Sequence, residues 1–205
     1  MRFPRVTVGR MMLAIAVVAL VFSGIVLVFG PREVELRPHP HPARMNGDHD
    51  IFDIVLADLL EDEGFNHFAE GEKKQLILGT TSEQGVSMEV GDLPDLKKAL
   101  EDKGIDLEIL GDFHDRNPRG VRFDLTDYKP ANPGIAVRDL ETIGYDRSDK
   151  PPWVQTWLPA YSKDGKVALL RFWFGPSPHG SGGFYLLKKV EGRWAIIKKA
   201  LFHFM

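Results

Sequence analysis

The sequence predicts an α+β protein in which an N-terminal transmembrane helix is followed by helices packed on a C-terminal antiparallel β-meander sheet. Three features predict it. An uncharged apolar run fills positions 11–29, apolar residues recur at three- and four-residue spacing in the middle of the chain, and aromatic-rich runs separated by turn residues occupy the last third.

The run from Met11 to Phe29, MMLAIAVVALVFSGIVLVF, has no charge and no proline, and its 19 positions reach about 28 Å as a helix, enough to cross a bilayer core. It ends in Val28, Phe29, Gly30 and Pro31 rather than in the small-residue pattern of a cleavage site, so it is expected to remain as an anchor. In the basic leader, residues 1–10, Arg2, Arg5 and Arg10 lie close to the terminal amine without acidic neighbours. Beyond the run, Arg32, Arg37 and Arg44 are interleaved with Glu33, Glu35 and Asp48. That asymmetry predicts a cytoplasmic N-terminus and an extracytoplasmic remainder.

Residues 30–49 read as a Pro-rich, charged stalk, which in polyproline II would extend up to roughly 60 Å. The single globular domain is expected over 50–205. Its first helix begins near Asp50, where Ile51, Phe52, Val55, Leu56, Leu59 and Leu60 mark one face and Gly64 a stop. Seven acidic residues and no basic one lie between Asp48 and Glu63, which reads as a solvated outer face. Strands are expected at Lys74–Gly79 and Val86–Val90. DLPDLKKALEDKG predicts a short helix, with Pro94 in its first turn and Gly104 at its end. Ile105–Asn117 fits a helix or irregular chain, and Val121–Leu125 fits one strand.

Five runs follow: Ile135–Thr142, Gln155–Tyr161, Lys166–Phe174, Phe184–Val190 and Trp194–Phe204. Lys163-Asp164-Gly165 and Glu191-Gly192 supply tight turns, so consecutive runs pair antiparallel. Ala168, Leu170, Phe172 and Phe174 alternate with Val167, Leu169, Arg171 and Trp173, which makes both faces of that strand largely apolar and places it centrally. Gly175–Gly183 then becomes an inter-strand loop, stiffened by Pro176 and Pro178 and given positive-φ freedom by Gly180, Gly182 and Gly183.

The chain has no cysteine, which excludes disulfides, thiolate metal sites, cysteine nucleophiles and a lipidated-cysteine anchor. Its formal charge is −3, and without the three leader arginines it is −6, so no nucleic-acid partner is expected. No cofactor and no metal is predicted. His39, His41 and His49, near Asp48 and Asp50, could meet a divalent metal only at an adventitious surface site, because alternation of His with Pro holds the rings apart along an extended chain, and Asn46-Asp48-Asp50 lacks the glycine and the closing glutamate of a calcium loop.

Candidate ligand-binding residues are Ser177, His179 and Ser181 in the 175–183 loop, Trp173 at its base, and His114 between Asp112 and Asp115. The loop lacks G-x-S-x-G and G-K-[ST], so it is neither a nucleophile elbow nor a phosphate loop. His67 and His114 read as partly buried histidines, and the four tryptophans read as core. The basic cluster Lys188, Lys189, Arg193, Lys198 and Lys199 complements the acidic first helix.

The leader's Arg-Phe and Val-Thr-Val, YKPANPGIAVRDL, and WLPAYSKDGKVALLRFWFGPSPHGSGGFYLL with the following Gly-Arg-Trp resemble a family of uncharacterised bacterial single-pass membrane-anchored proteins. The order of helices and sheet is loosely similar to NTF2-like and cystatin-like α+β folds. Neither resemblance implies an activity or a catalytic residue. The expected function is a membrane-anchored extracytoplasmic module that binds a small molecule or a protein without catalysis. The second reading is an extracytoplasmic hydrolase with a histidine base, His179 or His114, near the 175–183 loop.

Overall fold

The computed structural model describes residues 35–37, 42–62, 75–82, 92–119, 121–142, 152–175 and 181–203, all within the unit Val34–Met205. In chain order the elements are β1 (Glu35–Arg37), α1 (Pro42–Glu61), β2 (Leu76–Gly79), α2 (Asp92–Asp102), α3 (Glu108–Arg116), β3 (Val121–Phe123), β4 (Ile135–Arg138), β5 (Trp153–Thr156), β6 (Ala160–Tyr161), β7 (Val167–Gly175), β8 (Ser181–Val190) and β9 (Arg193–His203). The chain is therefore α+β. The apolar run 11–29 lies outside the described residues, among which no helix is long and apolar enough to cross a membrane.

The large sheet has the order β4-β2-β5-β7-β8-β9, with β6 pairing β7 beside β5. It is mixed, which corrects the expected pure meander: β2 runs parallel to both β4 and β5, whereas β5 through β9 pair antiparallel. Parallel pairs need long crossovers, so adjacent runs in sequence cannot reveal them. β1 and β3 form a separate parallel pair, joined to β2 through the bridge between Thr81 and Asp124.

β7 is central, and its two faces build two cores. Ala168, Leu170, Phe172 and Phe174 pack with Ile51, Phe52, Val55, Leu56 and Leu59 of α1. Leu169 packs with Leu96, Ala99 and Leu100 of α2, and with Ile109 and Phe113 of α3. Side chains alternate across a strand, so α1 covers one face of the sheet and the α2–α3 pair the other.

Several boundaries differ from expectation. α1 starts at Pro42 rather than near Asp50, and Glu35–Arg37 pairs as a strand, so these parts of 30–49 are folded chain and not stalk. Proline is compatible with a first helical turn because its missing N–H would have no partner there. The region Ile105–Asn117 contains α3, and Ile135–Thr142 divides into β4 and a 3₁₀ turn at Leu140–Thr142. The expected strand Gln155–Tyr161 breaks at Trp157–Pro159, where Pro159 has no N–H. Asn117 repairs the break: its amide Nδ2 donates to the Leu158 carbonyl at 3.0 Å, and its Oδ1 accepts from the Leu158 N–H at 2.8 Å. The expected strand Val86–Val90 lies outside the described residues.

The acidic face of α1 is not merely solvated. Tyr161 donates its hydroxyl to Asp48 Oδ1 at 2.7 Å, Tyr128 to Asp53 Oδ1 at 2.6 Å, and Tyr185 to Asp58 Oδ2 at 2.6 Å. Asp48 is fully buried and also receives a two-pronged bond from Arg116 of α3, with Nη2 to Oδ2 at 2.7 Å and Nη1 to Oδ1 at 3.1 Å. The expected complementarity between α1 and the last hairpin is present at Lys199, whose ammonium bonds Asp58 Oδ2 at 2.8 Å and also Asp62. A register shift between Leu186 and Leu187 places it there. β9 residues 194 and 196 pack toward the α1 side, the shift reverses parity at 197, and 199 and 201 return to that side.

Candidate functional site

The expected site divides on inspection. Ser177 and His179 lie outside the described residues, as do His39, His41 and His67. Ser181 belongs to β8 rather than to a loop: it stands opposite Phe174 and His203 and is fully buried. Gly183 is also strand. Its place is explained by space rather than by φ, because a Cβ there would lie 2.5 Å from the Ala200 carbonyl oxygen and 2.6 Å from Phe172 Cζ. Gly175 likewise lies under the Trp153 ring. Trp173 is half-buried on β7, packed against the α2–α3 core and beside Trp153 and Leu140. His114 is exposed on α3 and has no hydrogen-bond partner among the described residues, which corrects its reading as a partly buried histidine. Neither residue lines the cleft on the α2–α3 side of the sheet or the smaller one beyond β2 and β4.

A cleft of about 470 Å³ lies on the α2–α3 side of the sheet, where the turn between the helices meets the β6–β7 turn and the β8–β9 strands. Three local devices build it. At the end of α2, Gly104 takes φ +63, its N–H bonds the Glu101 carbonyl at 2.9 Å, and the Ile105 N–H bonds the Leu100 carbonyl at 2.9 Å. This Schellman cap turns Ile105 back onto Leu100 and so onto the cleft floor. In the β6–β7 turn, Gly165 takes φ +66 and the Ser162 hydroxyl donates to Asp164 Oδ1 at 2.7 Å. The register shift in β9 supplies Ile197, so Ile105, Ile109, Val167 and Ile197 make an apolar floor.

The rim is charged but unevenly engaged. Asp106 Oδ1 accepts from the Glu108 N–H at 2.9 Å; Asp164 accepts from Ser162 and, at 3.0 Å, from the Lys166 N–H. Those hydrogen bonds, the Ser162 hydroxyl first, hold the Asp164 carboxyl below the usual carboxylate range. Lys103, Lys163 and Lys188 stand around the same opening, exposed and without an ion-pair partner among the described residues. The cleft thus offers an apolar bed edged by three ammonium groups without ion pairs among the described residues, and by the carboxylates of Asp106 and Asp164, engaged in local hydrogen bonds, and of Glu108. Sequence reasoning found the two turns but not their meeting, because the lining comes from four separate stretches of chain.

A second, smaller cleft of about 290 Å³ lies beyond the carboxyl ends of β2 and β4. Thr80, Thr81, Thr126, Gln155 and Arg122 line it together with Asp124, Asp139 and Glu141. Gln155 Nε2 donates to the Thr81 carbonyl at 3.1 Å, while Arg122 Nε is buried without a hydrogen-bond partner among the described residues. Its carboxylates outnumber its cation among the described residues, and Leu140 is the large apolar side chain that lines it. Among the described residues no group of three or more His, Asp or Glu side chains is placed to hold a metal ion. The chain matches no protein-family model, no curated protein and no solved structure.

Proposed function

We propose that this protein is a membrane-anchored, extracytoplasmic binding module whose ligand is a small amphiphilic anion held without catalysis in the α2–α3 cleft. The observation that carries the reading is the arrangement of Lys103, Lys163 and Lys188 around the floor of Ile105, Ile109, Val167 and Ile197. The cleft volume falls in the range of small-molecule sites, and an apolar bed with a few convergent polar groups is the usual form of such a site. An anionic head would meet ammonium groups that have no ion-pair partner among the described residues, and an apolar body would meet the isoleucines. The anchor in this proposal is the run Met11–Phe29, which is long enough and free of charge. The hydrolase reading loses its support at His114, which has no hydroxyl or carboxylate within hydrogen-bond reach among the described residues.

The test uses the full chain in nanodiscs of neutral lipid, titrated with anilinonaphthalene sulfonate, a fluorescent apolar anion, against empty nanodiscs. The expected result is a saturable signal that weakens about tenfold or more when Lys103, Lys163 and Lys188 are together changed to alanine. Equal signals from the chain and from empty nanodiscs, or equal affinity in the triple variant, would refute the assignment of this cleft.

A further inference from the structure

The sequence groups five cations at the last hairpin, and the structure divides them. Lys199 turns inward to Asp58 and Asp62. Lys188, Lys189, Arg193 and Lys198 remain exposed, and none has an ion-pair partner among the described residues. The first seven residues of β8 are buried and the last three are exposed, so the hairpin runs out past the layered core. At its apex Glu191 takes φ 50 and Gly192 φ 81, the paired positive angles of a tight two-residue hairpin turn. Beside that turn stands Val190, 52% exposed and the one large apolar side chain exposed to that degree among the described residues. Lys189 lies over the Trp194 ring at 5.1 Å, which puts a half-buried indole just behind the apex.

An apolar apex, cations on both strands and an indole at the base are the parts of a membrane-interface contact. The charge argument is sharpened by context, since the chain beyond residue 29 carries −6 while this tip carries three cations against Glu191 alone. We propose that the β8–β9 hairpin tip docks on anionic phospholipid headgroups, with Val190 entering the interface and Lys189 and Arg193 meeting phosphates. This rests on the reading of Met11–Phe29 as an anchor, which supplies the bilayer. It also gives that anchor a second contact: only five residues separate Phe29 from β1, a reach of about 20 Å at full extension. A domain held that near to a bilayer encounters it constantly, so a weak surface contact becomes effectively intramolecular.

The absence of cysteine makes the test direct. Val190→Cys, carried by the full chain and labelled with an environment-sensitive fluorophore, is compared in nanodiscs of phosphatidylglycerol and of phosphatidylcholine. Asp95→Cys, exposed on α2, is the control. The expected result is a blue-shifted emission at position 190, quenched by a lipid-borne quencher, in phosphatidylglycerol only. The shift is at least halved by about 0.5 M salt, where screening is short-ranged, and by the pair Lys189→Glu and Arg193→Glu. A probe at 190 as wet as the control, in chain that stays with the nanodisc, overturns the docking and leaves the anchor standing. An equal shift in both lipids overturns the headgroup recognition. Chain that elutes free of the nanodisc overturns the anchor and the docking together.

Discussion

Alkaline pH should unfold this domain through the three tyrosines that hold α1. Tyr128, Tyr161 and Tyr185 are each pushed above the ordinary phenol range, first by burial and then by the aspartate that accepts the hydroxyl proton: Asp53, Asp48 and Asp58 respectively. Ionising any of them in the folded state would set a phenolate against a carboxylate about 2.6–2.7 Å away. The folded pKa values exceed the unfolded value of about 10, so the folded state keeps protons that the unfolded state releases. Stability from these groups is fully present below about pH 10 and declines as the pH rises above it. Three protons correspond to a limiting slope of about 4 kcal/mol per pH unit, and a domain of ordinary stability, about 5–15 kcal/mol, exhausts that within a few units.

The assay is urea unfolding of the full chain in nanodiscs, followed by tryptophan fluorescence from about pH 8 to about pH 12. Tyr185→Phe should remove about a third of the slope, and Tyr128→Phe another third. Stability that stays flat to about pH 11.5, or a slope that neither substitution changes, would refute the assignment of these three hydroxyls as buried donors.

Two further substitutions probe the fold. Asp48→Ala strands the Arg116 guanidinium, whose side chain is only 5% exposed, and removes the Tyr161 acceptor; a loss of about 3–5 kcal/mol in urea unfolding is expected, and a loss below about 1 kcal/mol would show that the pair is not desolvated. Gly183→Ala forces a methyl against the Ala200 carbonyl and the Phe172 ring and should cost about 1–3 kcal/mol, whereas Gly111→Ala, in α3 with nothing within 4 Å of its Cβ position, should add about 0.5–1 kcal/mol. Thermal melts of the two glycine variants that move in the same direction would contradict the spacing around β8.

What the sequence made legible was local. The alternation in β7 marks a strand buried on both faces, Gly104 marks the end of α2, and Lys163-Asp164-Gly165 and Glu191-Gly192 mark turns, because each depends on neighbours a few residues away. The parallel pairing of β2 with β4 and β5 joins residues such as Leu76 and Ile135, and nothing in either short run specifies its partner. Ser181 misled for a related reason. A Gly-Ser run looks like a loop by composition, yet Gly183 is glycine because Phe172 occupies the space of its side chain, a fact that exists only after β7 and β8 are paired. The candidate site was hidden in the same way, as Ile105 and Ile197 meet only through a helix cap and a strand irregularity 92 residues apart in sequence.

The spacing of the α1 aspartates bears on why the proposed ligand cleft lies on the other face of the sheet. Asp48, Asp53 and Asp58 stand five residues apart, and at about 100° per residue each step turns about 140° around the helix, so the three tyrosines grip α1 from different directions. Apolar contact alone, between Ile51, Phe52, Val55, Leu56 and Leu59 and the sheet, would tolerate sliding and rotation, because it is non-directional. Directional hydrogen bonds do not, since a displaced helix would leave the buried Asp48 without its partners, at a cost of about 1–3 kcal/mol per lost bond, and would break the bonds of the part-exposed Asp53 and Asp58 at a smaller cost. α1 therefore fixes one face of the sheet. On the opposite face the α2–α3 turn covers the sheet incompletely, and Lys103, Lys163 and Lys188 border the gap without ion pairs among the described residues. A ligand of the proposed kind entering there would displace no structural hydrogen bond of α1, so its binding and the folding stability would draw on different contacts.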